Sequence, residues 1–173
     1  SEAEDLVNYY ETLKEKGNAY YYQSDYDQAL NLYTTAMDYY KRNNMIIGLT
    51  RCLNNIGLIY KNKGDYVAAL SSYEESIKQL DTIEHAYDIS QAYINMGNVF
   101  VFLGSYERAL EYFHNALLIS EREGYSKNVS LILSNSGVVQ NKIHNYEEAE
   151  RLYRRSLLVS QANNDRVQVS NCL

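Results

Sequence analysis

The sequence predicts an all-α chain built as a tandem array of helical hairpins, and three observations carry that reading. No proline and only 8 glycines occur among 173 residues, which leaves little to interrupt helices. The 19 tyrosines supply large packing area with a polar tip, suited to many half-wet interfaces in place of one thick core. Gly17, Gly57, Gly97 and Gly137 recur at a fixed spacing of 40 residues, and a fixed period fixes the architecture.

The neighbours of each glycine keep the same register. Tyr20, Tyr60, Phe100 and Gln140 follow at one offset, and Tyr26, Tyr66, Tyr106 and Tyr146 at the next. Ala29, Ala69, Ala109 and Ala149 come after these, then Tyr33, Tyr73, Phe113 and Tyr153, then Ala36, Ser76, Ala116 and Ser156. In the first helix of a unit, Leu13, Gly17 and Tyr20 share one face. In the second, Ala29, Tyr33 and Ala36 do the same. The junctions read Ser24-Asp25-Tyr26, Gly64-Asp65-Tyr66, Gly104-Ser105-Tyr106 and His144-Asn145-Tyr146. There a glycine can take the left-handed position, and Asp, Ser or Asn can cap the next helix. Small residues at the crossing points let two backbones approach while an aromatic ring fills the space beside them.

The repeats span residues 10–49, 50–89, 90–129 and 130–169 of a single array covering 1–173, with inter-repeat turns expected near 41–45, 81–85, 121–125 and 161–165. Cys172 and Leu173 stand where the period carries Cys52 and Leu53, so residues 166–173 read as the start of a fifth unit. The sequence is therefore expected to be a segment of a longer protein.

This pattern resembles the tetratricopeptide repeat family over essentially the whole chain. The matching segments run from Gly17-Asn18-Ala19-Tyr20 through Tyr33 and Ala36, and likewise from Gly57 to Ser76, Gly97 to Ala116 and Gly137 to Ser156. Leu13, Leu53, Tyr93 and Leu133 replace the family's usual tryptophan, the terminal proline is missing, and the period is 40 where the standard unit has about 34. Such 40-residue versions are similar to those of spindle-orientation scaffolds and of bacterial sensor and regulator proteins. The resemblance implies a right-handed superhelix of about four hairpins plus the start of a fifth, with the first helices lining a concave groove.

One stripe on each first helix is expected to face that groove. It comprises Glu11, Glu15, Asn18 and Tyr22, then Arg51, Asn55, Leu58 and Asn62. In the later repeats it comprises Gln91, Asn95, Asn98 and Phe102, then Leu131, Asn135, Val138 and Lys142. Asn55, Asn95 and Asn135 form a ladder at the repeat period. An asparagine amide both donates and accepts, so it can pair with the C=O and N–H of an extended peptide whatever its side chains. Leu58, Phe102 and Val138 offer apolar contact between the rungs, and Lys14, Arg51, Lys61 and Lys142 could meet acidic ligand side chains. The competing reading is that the asparagines face solvent or bridge adjacent first helices. The family's carboxylate clamp is matched by Lys14, Asn18 and Asn55 but lacks its two later cations, where Gln91 and Asn95 stand, so no chaperone clamp is expected.

No catalytic constellation is present, and neither an enzyme nor a cofactor is expected. His85, His114 and His144 occupy different repeat positions, against a metal site. Cys52 and Cys172 stand three repeats apart, beyond disulfide reach, and read as packing residues. Glu147, Glu148 and Glu150 suit a helix start. A formal charge of −6 argues against nucleic acid as a partner, the longest apolar run (99–103) is far too short to span a membrane, and residues 1–10 lack a signal-peptide pattern.

The expected function is a protein-interaction module that binds an extended peptide or partner segment in its groove, in a cytoplasmic setting. One alternative is an input domain of a bacterial histidine kinase or transcriptional regulator, periplasmic in the kinase case. The other is structural self-assembly through the unfinished fifth repeat.

Overall fold

A computed structural model describes the backbone of residues 2–81 and 84–171, and the side chains of residues 4–81 and 84–163. Among these residues the chain is helical throughout: α1 (Glu2–Tyr22), α2 (Tyr26–Arg42), α3 (Ile46–Asn62), α4 (Tyr66–Lys78), α5 (Ala86–Phe102), α6 (Tyr106–Arg122), α7 (Ser126–Lys142) and α8 (Tyr146–Asn171). They form two compact units, Ser1–Leu80 with the hairpins α1–α2 and α3–α4, and Asp81–Leu173 with α5–α6 and α7–α8.

The turns within the hairpins follow from local chemistry. Gly64 and Gly104 adopt positive φ (81° and 71°), which costs a glycine nothing. Ser24 and His144 hold the same left-handed position at φ 63° without that freedom, a strain the flanking hairpins sustain. Asp25 and Asp65 cap α2 and α4 by accepting from the backbone N–H of Gln28 (3.2 Å) and Ala68 (3.0 Å). The other two expected caps differ. Ser105 makes no side-chain cap bond, and the amide of Asn145 donates instead to Gln140 Oε1 at 3.1 Å.

The repeating glycine explains how each hairpin closes. A Cβ built on Gly17, Gly57, Gly97 or Gly137 would lie 2.8, 2.5, 2.5 or 2.6 Å from the ring of Tyr33, Tyr73, Phe113 or Tyr153. The ring of the second helix thus lies directly on the backbone of the first, and Tyr33, Tyr73 and Phe113 are completely or almost completely buried. Hydroxyls finish the crossings. Ser76 Oγ donates to Thr50 O (3.3 Å), Ser90 Oγ to Ala116 O (3.4 Å) and Ser130 Oγ to Ser156 O (3.2 Å). In the first unit Ala29, Tyr33, Ile56 and Ile59 form one buried cluster and Ala36, Tyr40 and Cys52 another. In the second, Val129, Leu133 and Leu152 pack together.

One expected turn does not form. The helix α8 continues unbroken through residues 161–165, where neither glycine nor proline interrupts its hydrogen bonds, so the segment from 166 onward extends α8 as far as Asn171. Cys172 and Leu173 lie outside the described residues. Among the described residues no helix is long and apolar enough to cross a membrane.

Candidate functional site

Four of the stripe residues of the first unit meet at one cleft. Asn18 and Tyr22 of α1 and Asn55 and Leu58 of α3 line a cavity of about 70 Å³ together with Tyr21 and Tyr33. The cleft floor is ordered by hydrogen bonds. Tyr33 Oη donates to Asn18 Oδ1 at 2.6 Å, and Asn55 Nδ2 donates to the same oxygen at 3.2 Å. Asn18 Nδ2 in turn donates to Glu15 Oε2 at 3.0 Å. Both lone pairs of Asn18 Oδ1 are therefore used, whereas Asn55 has spent one N–H and keeps its second N–H and its Oδ1.

The second unit repeats the pairing. Asn135 Nδ2 donates to Asn98 Oδ1 at 3.1 Å, the same 37-residue separation as Asn55 and Asn18. Two classes of asparagine emerge. Asn18 and Asn98, one residue after their glycines, are anchors; Asn55 and Asn135, two before the next glycines, are held by them. Bridging between first helices, one of the two readings open from sequence, thus occurs at these pairs, and it leaves half of each held amide uncommitted. Asn95 makes no side-chain hydrogen bond to the described residues, and the anchor position before it in the repeat is Leu58.

The remaining stripe residues divide. Asn62 donates to Tyr21 Oη (2.9 Å), Gln91 Nε2 to Asn128 Oδ1 (2.8 Å). Phe102 (64%), Leu131 (46%) and Val138 (42%) are exposed, as are Arg51 and Lys142. Lys14 does not face a ligand. It is 7% exposed and its ammonium is ion-paired with Glu11 and Glu15. Glu11 Oε1 also accepts from Tyr40 Oη at 2.7 Å, so burial, which alone would raise the Glu11 pKa, is outweighed by these bonds and the net shift is downward. Burial lowers the pKa of half-buried Lys61.

Sequence reasoning missed the role of Tyr33, whose hydroxyl orients Asn18. The signal was present, because Tyr33 and Asn18 stand at fixed offsets from Gly17. At the matching place in the second repeat Leu58 replaces the anchor, and the hydroxyl of Tyr73 is buried with no partner among the described residues. Cys52 is fully buried, and desolvation pushes its thiol up to about 12. Among the described residues no group of His, Cys, Asp and Glu could hold a metal ion. His114 is exposed, and His144 Nδ1 lies 2.7 Å from Tyr146 Oη.

A family model described as tetratricopeptide repeat matches residues 8–82 and 88–162. No curated protein sequence matches the chain. Several solved structures share its fold. BtubC (BKLC) from P. vanneervenii is 20% identical with a TM-score of 0.77, the alignment covering 90% of this chain and 64% of that one. Aspartyl phosphate phosphatase F from Bacillus subtilis is 17% identical with a TM-score of 0.86, over 95% and 43%. A Rap protein solved in complex with Competence and Sporulation Factor is 22% identical with a TM-score of 0.85, over 97% and 47%. The chain thus spans between 43% and 64% of the length of these structures.

Proposed function

Because the chain belongs to the tetratricopeptide repeat family, we propose that it is a non-catalytic binding module whose first helices hold an extended peptide by its backbone. One observation carries the reading. Asn55 and Asn135 are each fixed by a single bond to an anchor asparagine and keep one donor and one acceptor, the complement of a peptide's C=O and N–H. Asn95, at the equivalent position of its own repeat, is included as a third rung. Leu58, Phe102 and Val138 stand beside the rungs as apolar contacts, while Arg51 and Lys142 supply positive charge for acidic ligand residues. Asn62 and Gln91 contribute through their remaining donor and acceptor capacity.

A screen of immobilised peptides, run with the wild type beside Asn55→Ala/Asn95→Ala/Asn135→Ala, tests this once circular dichroism has shown both to be folded. Each lost backbone bond is expected to weaken binding by about threefold to tenfold. Hits retained at full strength by the folded variant would remove the rungs from the mechanism.

A second reading is favoured by fold similarity. A Rap protein solved in complex with Competence and Sporulation Factor shares the fold over 97% of this chain, which supports a ligand-sensing role in signalling.

A further inference from the structure

The first unit contains an apolar cleft, sharing no lining residue with the Asn18–Asn55 cleft, whose equivalent in the second unit is closed. Met37 of α2 and Leu49 and Leu53 of α3 wall a cavity of about 410 Å³, a volume in the range of small-molecule sites. Lys41 in the last turn of α2 and Asn44 after it, with Glu75 and Gln79 of the α4 end, supply its polar lining.

Moving eighty residues along the repeat finds the same positions filled. Leu117, Val129, Leu133 and Val159 pack together there, with Val129 at 6% and Leu133 at 0% exposure, and Arg155 is ion-paired with Glu121 across the top. In the first unit Gln79 stands where Val159 does and Glu75 where Arg155 does. Helix α4 ends at Lys78, so Gln79 sits at its cap, and its amide donates to Glu75 Oε1 at 3.1 Å instead of covering the cleft. Glu75 also lies 3.9 Å from Lys78. Leu49 and Leu53 are left half-buried.

The polar lining residues differ in chemistry. Glu75 is engaged by Lys78 and Gln79, whereas the Lys41 ammonium and the Asn44 amide make no side-chain hydrogen bond or ion pair with the described residues. Unspent donors, one of them cationic, therefore line the same cavity as Met37, Leu49 and Leu53.

We propose that this cleft binds an aliphatic carboxylate, its chain along Met37, Leu49 and Leu53 and its carboxylate accepting hydrogen bonds from Lys41 Nζ and Asn44 Nδ2. Burial of the chain supplies the affinity and the charge-assisted bond at Lys41 sets the polarity of the ligand. The site is separate from the asparagine cleft and does not depend on peptide capture there.

The test is a titration of the 173-residue chain, labelled at its methyl groups, with octanoate, with octanamide, and with acetyl-Gly-Leu as free acid and as amide. Saturable shifts of the Met37, Leu49 and Leu53 methyls by an acid, at least about tenfold tighter than by its amide, are expected. The tighter acid identifies the source as a free fatty acid or a peptide C-terminus. Lys41→Gln, at an exposed position that leaves folding intact, is expected to erase the preference for acid over amide. Lys41→Glu/Glu75→Arg/Gln79→Val copies the closed cleft and is expected to abolish binding. Absence of methyl shifts with all four probes, equal binding of acid and amide, or an unchanged preference in Lys41→Gln would overturn the proposal.

Discussion

Tyr33→Phe and Tyr73→Phe remove the same atom from two positions that the repeat makes equivalent, yet they should move stability in opposite directions. Both rings lie on a glycine backbone and are at most 1% exposed, so ring packing is untouched in either variant. The Tyr33 hydroxyl donates a 2.6 Å bond to Asn18, and losing it should cost about 1 kcal/mol. Asn18 Oδ1 still accepts from Asn55, so the change orphans no acceptor. The Tyr73 hydroxyl has no partner among the described residues, because Leu58 stands where the anchor would be. Removing it relieves a desolvation cost of about 1–3 kcal/mol. The two variants should therefore differ by roughly 2–4 kcal/mol, a gap of several degrees in Tm for a chain of this size. Urea unfolding with an unchanged m-value would measure it. Equal losses in the two variants, or a larger loss from Tyr73→Phe, would refute the anchor assignment.

Further outcomes follow from the same geometry. Gly57→Ala gains about 1 kcal/mol of helix propensity but drives a Cβ to 2.5 Å from the fully buried Tyr73 ring, so net destabilisation is expected in denaturant unfolding. A carboxylate whose folded pKa is depressed stabilises the fold above its ordinary value of 4.5, and that contribution disappears as pH falls through the lower folded pKa. The wild type should accordingly lose more stability than Glu11→Gln as acid is added below that value, as melting temperatures across a pH series would show. The Cys52 thiol, buried and pushed up to about 12, should resist iodoacetamide at neutral pH until the protein unfolds, as peptide mapping of labelled sites would reveal.

The hairpins were legible because their determinants are local. The 40-residue glycine period, the aromatic that follows it and the Asp caps at Asp25 and Asp65 each act within a single repeat. The turn expected at 161–165 was not legible on the same basis. Its Asn163-Asn164 resembles Asn43-Asn44, where Asn44 takes φ 53°, but in α8 the helical hydrogen bonds simply continue. Composition at a junction permits a turn without compelling one.

The candidate site was half legible. Period alone picked out Asn55 and Asn135, but their bonds to Asn18 and Asn98 join neighbouring first helices 37 residues apart, a distance that depends on helix packing. The burial of Lys14 escaped for a similar reason: its partners Glu11 and Glu15 are near in sequence, while Cys52 of α3, which feels its charge, is not. The open cleft beside Leu49 and Leu53 depends on where α4 stops, which no local pattern in its sequence marks.

Backbone capture by the held asparagines can be measured with a peptide that binds the chain and a series of its analogues in which one amide at a time is replaced by an ester. Affinities of the series for wild type and for Asn55→Ala form a double-mutant cycle. One ester position is expected to weaken binding to the wild type but not further to Asn55→Ala, with a coupling of about 0.5–1.5 kcal/mol. Strictly additive losses at every ester position would contradict it.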